Sequence, residues 1–150
     1  IVFGLAEAGC AQISILNRTR SKADDLAATM QSFFPHCAIS AGQGPDDIPQ
    51  HADGADLIVN TTSLGMSPNV ETTPWDETVA FLPNQVAYDL VYNPAETRFL
   101  RKAKSDGAQC INGLGMLVWQ GAISLEIWTG LDAPSAVMFE AVQRAMHEKE

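Results

Sequence analysis

The 150-residue sequence is short of cysteine, histidine and positive charge, and each shortage closes off a class of function. Its three cysteines, Cys10, Cys37 and Cys110, are an odd number at wide spacing. That matches neither a disulfide scaffold nor a zinc knuckle, and reads as reduced core thiols of a cytoplasmic protein. The three histidines, His36, His51 and His147, have no Cys, Asp or Glu at ligand spacing, so no metal site is expected. Nine Lys and Arg stand against 18 Asp and Glu, a formal net charge of −9, with an isoelectric point near 4.6. A nucleic-acid surface needs dense local cation charge, so that class is excluded. No apolar run reaches the ~20 residues of a membrane span; the longest, 114–128, is interrupted by Gln120, Gly121, Ser124 and Glu126. What remains, 46% hydrophobic and 18% charged, is the composition of one ordinary soluble domain spanning residues 1–150.

Apolar periodicity then orders the chain. Residues 1–8 read as the end of a helix, with Gly9 placed for a left-handed cap. Residues 12–16 read as a buried strand stopping at Asn17. From Ser21, the positions Ala23, Leu26, Ala27, Met30, Phe33 and Phe34 recur at helical spacing, with Ser21 and Asp24 as a capping box and Pro35 as the stop. Residues 38–54, rich in Gly and Pro, predict a short strand and a one-turn helix near Asp46. Strands are expected at 56–60, 86–92 and 108–111, and helices at 96–105, 114–128 and about 135–148. The helix at 114–128 carries the stripe Leu114, Leu117, Val118, Gly121, Leu125 and Trp128. The last carries Met138, Ala141, Val142, Ala145 and Met146. Strands alternating with helices predict an α/β fold with a Rossmann-like doubly wound parallel sheet.

In such a sheet, ligands bind beyond the carboxyl ends of the strands. Those ends are Asn17-Arg18-Thr19, Asn60-Thr61-Thr62-Ser63, Tyr92-Asn93 and Asn112-Gly113, all polar, small or cationic. One polar strand end is what any strand needs; four together suit a phosphorylated, polyhydroxylated ligand. The first is the most specific. An acidic residue there would accept hydrogen bonds from the ribose 2′-hydroxyl of NAD, whereas Arg accommodates the 2′-phosphate of NADP. This sequence has Asn17 and then Arg18, Arg20 and Lys22, three of its nine basic residues within five positions, around the N-terminus of the Ser21 helix, which itself favours anions. The basic residues Arg98, Arg101, Lys102 and Lys104 read instead as a solvated helix face. A strand and a G-x-G-x-x-G turn, which would receive the pyrophosphate, do not occur ahead of residue 1, so the chain is expected to be a fragment beginning inside the first helix.

The combination of Asn17-Arg18-Thr19-Arg20-Ser21-Lys22-Ala23, of residues 56–66 ending Asn60-Thr61-Thr62-Ser63-Leu64-Gly65-Met66, of Tyr88-Asp89-Leu90-Val91-Tyr92-Asn93-Pro94, and of residues 112–122 beginning Asn112-Gly113-Leu114-Gly115 resembles the C-terminal, NADP-binding domain of the shikimate dehydrogenase family. The resemblance implies reduction of 3-dehydroshikimate to shikimate with NADPH in aromatic amino-acid biosynthesis. It implies that Asn17, Arg18, Thr19 and Lys22 hold the 2′-phosphate end. Thr61, Thr62 and Ser63 would line the dinucleotide path, Leu90 and Gly113 would flank the nicotinamide, and Tyr92 and Gln120 would reach the substrate. The family's substrate domain, with its proton-transferring lysine and aspartate, has no counterpart in residues 1–150, so no catalytic residue is expected here and the chain alone should be inactive. Apolar helix surface that would face that domain predicts self-association, as a homodimer. A quinate-type dehydrogenase of the same superfamily and a non-catalytic nucleotide-binding module are the alternatives.

Overall fold

The computed structural model describes residues 1–147. The chain is α/β and divides into two compact units, residues 1–56 with 74–80, and residues 57–73 with 81 onward. Among the described residues no helix is long and apolar enough to cross a membrane.

In the first unit, α1 (Val2–Glu7) leads through Gly9, at φ +90°, into β1 (Gln12–Asn17). Helix α2 (Arg20–Phe33) returns the chain to β2 (Ala38–Gln43), which pairs in parallel with β1 from Gln12 opposite Ala38 to Asn17 opposite Gln43. The short α3 (Ile48–Ala52) follows. Ala6, Ile13 and Cys37 form the centre of the core, with Val2, Leu5, Phe34 and Ile39 packed around them. The turn after α2 is tied by Gln31, whose amide nitrogen Nε2 donates to the carbonyls of Phe34 and Cys37 while Oε1 accepts from Ile39 N–H.

Two expectations for α2 are corrected. Ser21 and Asp24 form no capping box, because Asp24 accepts from Arg20 Nε at 2.9 Å and the cap residue is Thr19, without a side-chain cap bond. The buried face is narrower than the sequence pattern: Ala23 and Ala27 are buried, whereas Leu26 and Phe33 are 41% and 64% exposed. Small residues face the sheet because α2 lies close against it, leaving the larger ones at the margins.

In the second unit, β3 (Leu57–Asn60), β4 (Val86–Asp89) and β5 (Gln109–Ile111) form a parallel sheet in that order. Helix α4 (Arg98–Ser105) buries Phe99, Leu100 and Ala103; of its cations, Lys104 and Arg101 are exposed and pair with Glu96 and Glu71, whereas Arg98 and Lys102, expected on the same solvated face, are half-buried, Lys102 because it pairs with Asp106. Strand β4 ends three residues before the expected Tyr92. Leu90 N–H still bonds the Asn60 carbonyl, but Val91 N–H turns onto the Asp89 side chain, and this bends the backbone out of the ladder. Helix α5 (Leu114–Thr129) ends at Gly130, φ +69°, and packs with α6 (Ser135–His147). Its buried residues are Leu114, Val118 and Ala122, four apart, and Trp128 at the end of the expected stripe is 81% exposed. On α6, Met138, Val142 and Met146 are half-buried, and Ala141 and Ala145 are exposed. The expected end of that helix, Glu148, and the side chain of His147 lie outside the described residues. Cys37 is the one cysteine in the core; Cys10 is half-buried and Cys110 is exposed on the short strand β5.

Both hydrogen-bonded groups, β1-β2 and β3-β4-β5, are parallel throughout, as the α/β reading of the sequence expects.

Candidate functional site

In the first unit, the turn after β1 is built by Asn17. Its Oδ1 accepts from Thr19 N–H at 2.8 Å, and its backbone carbonyl accepts from Gly44 N–H at 3.1 Å, which sets the chain into α2 with Thr19 at the cap. The hydroxyl of Thr19 is left out of any cap bond. The three cations there are not equivalent. Arg20 is committed to Asp24, and its Nη1 lies 3.7 Å from Asp47, whose Oδ2 also accepts from Gln43 N–H. Arg18 and Lys22 are exposed and have no ion pair among the described residues. The turn thus offers two free cations, one free hydroxyl and the first amides of a 14-residue helix, a set that fits a phosphate dianion.

In the second unit, the turn after β3 is shaped by Asn60. Its Oδ1 accepts from both the amide and the hydroxyl of Thr62, at 2.9 and 2.8 Å, and Thr62 Oγ1 accepts from Leu64 N–H at 3.1 Å. Thr61, Thr62 and Ser63 are exposed. Gly65, at φ +89° and buried, closes the turn by donating to Thr72 Oγ1.

Leu90 and Gly113 come together. A Cβ on Gly113 would stand 2.1 Å from the Leu90 carbonyl oxygen and 2.5 Å from its carbon, and Gly113 N–H donates to the Val91 carbonyl at 3.1 Å. Only glycine permits this approach of the α5 start to the loop after β4. Asn112 braces the same junction by donating to the Ala95 carbonyl and accepting from Leu114 N–H.

Gln120 lies in an open groove of about 560 Å³, lined also by Tyr88, Ile111, Met116, Trp119 and Phe139. Its Nε2 donates to the Leu117 carbonyl. Tyr92, 38% exposed, is not among the residues of that groove, and Tyr88 supplies the phenol there.

Sequence reasoning missed a buried triad of polar side chains behind these loops, Asn60, Asp89 and Thr97. Burial pushes the Asp89 carboxyl above the usual carboxylate value, against hydrogen bonds from Thr97, Val91 N–H and Asn60 that pull it down. The available signal was an aspartate inside the otherwise apolar run Val86-Ala87-Tyr88-Asp89-Leu90-Val91, a place where an unpartnered charge is not tolerated.

The chain matches the family model described as "Shikimate 5'-dehydrogenase C-terminal domain" over residues 113–143, the stretch holding Gly113, Gln120 and α5. A shikimate dehydrogenase (NADP(+)) from Moorella thermoacetica is 42% identical, the match covering 97% of this chain and 49% of the relative. One from Methanopyrus kandleri is 40% identical over 95% of this chain and 49% of its own length. Among solved structures, a shikimate dehydrogenase in complex with NADP+ superposes with a TM-score of 0.82 at 35% identity, covering 97% of this chain and 50% of that one. The ligand-free 5-ketofructose reductase of Gluconobacter sp. strain CHM43 superposes with a TM-score of 0.78 at 36% identity, over 97% and 51%. The chain spans about half the length of the relatives it matches. Along nearly all of its own length the chain is similar to one half of these shikimate dehydrogenases.

Proposed function

We propose that the chain is the NADP(H)-binding half of a shikimate dehydrogenase, an oxidoreductase that interconverts 3-dehydroshikimate and shikimate. The observation that carries this reading is the turn after β1, where Arg18 and Lys22 stand unpaired beside the Thr19 hydroxyl while Arg20 is held by Asp24 and Asp47. An isolated 2′-hydroxyl would not call for two free cations; a 2′-phosphate does.

When bound, the nicotinamide gives or takes the hydride. The chain's own residues bind and orient. Asn17, Arg18, Thr19 and Lys22 hold the phosphorylated adenosine end, Thr61, Thr62 and Ser63 border the path of the dinucleotide, and Leu90 with Gly113 forms a flat backbone wall for the nicotinamide. Tyr92 and Gln120 meet ring hydroxyls of the substrate, Gln120 having both a donor and an acceptor to offer. Proton transfer to the developing alkoxide is assigned to no residue of 1–150, so the chain alone binds nucleotide without turnover. The same half also matches a 5-ketofructose reductase, which supports placing substrate choice in the other half of the protein.

Calorimetric titration of the chain with NADP+ and NAD+ tests the reading. The expected result is preference for NADP+, with Arg18→Ala weakening NADP+ by about 10- to 100-fold and leaving NAD+ unchanged. Equal affinity for the two nucleotides, or binding of neither, overturns it.

A further inference from the structure

Asn60, Asp89 and Thr97 are 3%, 0% and 0% exposed, and they come from three elements: the end of β3, the end of β4 and the cap of α4. Asn60 Nδ2 donates to Asp89 Oδ1 at 3.0 Å, and Thr97 Oγ1 donates to Asp89 Oδ2 at 2.5 Å. The outer bonds of this chain reach the loops that carry the candidate site. Asn60 Oδ1 holds Thr62 by its amide and hydroxyl, and Asp89 Oδ1 holds Val91 N–H at 2.9 Å. The Val91 carbonyl in turn holds Gly113 N–H. A buried carboxylate is a costly way to fill a core, and an apolar side chain of similar volume stabilises a fold better. What the carboxylate alone supplies is two acceptor oxygens that take three donors from different directions.

We propose that Asp89 is a positioning residue for the nucleotide, locking the 61–63 turn and the wall of Leu90 and Gly113 into one preformed surface. The proposal rests on the reading that these loops face the nicotinamide end. Desolvation of the Asp89 carboxyl, opposed by its three donors, is consistent with a group whose surroundings are organised around its acceptor role.

Amide hydrogen exchange on the whole chain tests it, comparing wild type with Asp89→Asn, Thr97→Val and Thr97→Ser. Asparagine keeps the volume but replaces one acceptor by a donor, so the Thr62, Val91 and Gly113 amides should exchange at least about tenfold faster. Amides inside α5, such as that of Ala122, should keep their protection. Thr97→Ser retains the hydroxyl and should behave as wild type, while Thr97→Val should loosen the same three amides. Unchanged protection at those amides overturns the proposal. Equal loss throughout the second unit also overturns it, since Asp89 would then hold the fold and not the surface. If Asp89→Asn does not fold, Thr97→Val against Thr97→Ser decides by the same criteria. The same variants are titrated with NADP+ and with 2′,5′-ADP. Asp89→Asn should weaken NADP+ about tenfold and leave 2′,5′-ADP unchanged, because the adenosine end is read by residues of the other unit; equal weakening of both refutes positioning. If the wild-type chain binds neither probe, the nucleotide reading fails, and the exchange data alone then decide whether Asp89 locks the two loops.

Discussion

Substituting Gly113 by alanine asks the α5 start to occupy space already filled by backbone. The added Cβ would lie 2.1 Å from the Leu90 oxygen, 2.5 Å from the Leu90 carbonyl carbon and 3.1 Å from the Val91 carbonyl carbon. Comfortable carbon contacts lie near 3.5 Å, so the Leu90 peptide must retreat by about 1 Å or more. That retreat strains the loop after β4 and lengthens the bond from Gly113 N–H to the Val91 carbonyl, now 3.1 Å. Overpacking costs about 1–3 kcal/mol and the weakened hydrogen bond about 1 kcal/mol, together about 2–4 kcal/mol. For a chain of this size the melting temperature should fall by roughly 5–15 °C. Gly115, two residues on, is the internal control. Nothing lies within 4 Å of a Cβ placed there. Gly115→Ala should therefore gain about 0.5 kcal/mol through helix propensity and leave the melting temperature level or slightly higher. Differential scanning calorimetry of the two variants reads both. A Gly113→Ala protein that melts within about 1 °C of wild type, a shift equivalent to well under about 1 kcal/mol, or a Gly115→Ala protein that loses as much as Gly113→Ala, refutes the steric argument.

Three other outcomes are expected. Burial alone would raise the Asp106 carboxyl, but hydrogen bonds from Lys102, Phe81 N–H and Ser105, with the Lys102 charge, hold it below the usual carboxylate value. Its stabilisation is therefore present above the ordinary carboxylate range and lost as pH falls through the lowered folded value. Asp106→Asn should cost about 1.5–3 kcal/mol at neutral pH and converge with wild type in acid, as read from urea midpoints across pH; a gap that persists in acid contradicts the assignment. Asp89 has the opposite sign: its folded value is raised, so its contribution falls as pH climbs from the ordinary carboxylate range to that value and is level above it. On α5, Ile127 and Trp128 are 76% and 81% exposed beside Ile123 at 53%, an apolar surface expected to drive self-association. Replacing Ile127 and Trp128 by Gln should lower the apparent mass in concentrated samples by sedimentation velocity while changing stability by less than about 0.5 kcal/mol; an unaltered mass argues against association through this face.

What the sequence determined by itself was periodicity and strand-end chemistry. Alternating strand and helix patterns placed β1, α2, β3 and α5 within a few residues, because burial of one face leaves a mark at spacing two or 3.6. Polar residues after apolar strands marked the turns at Asn17, Asn60 and Asn112, since a strand that leaves a sheet must satisfy its last amides. Tertiary structure decided the rest. Leu26, Phe33 and Trp128 belong to helical stripes yet lie exposed, because the width of a buried face depends on how closely a helix approaches its neighbour, which its own sequence does not state. The cations of the first turn look alike in sequence, and only the placement of Asp24 and Asp47 separates a braced Arg20 from an open Arg18 and Lys22. Asp89 reads as one polar letter in an apolar strand. Its partners, 29 positions before it and 8 after it, meet it only when β3, β4 and α4 are brought together, and long-range closure of that kind has no periodic signature in the chain.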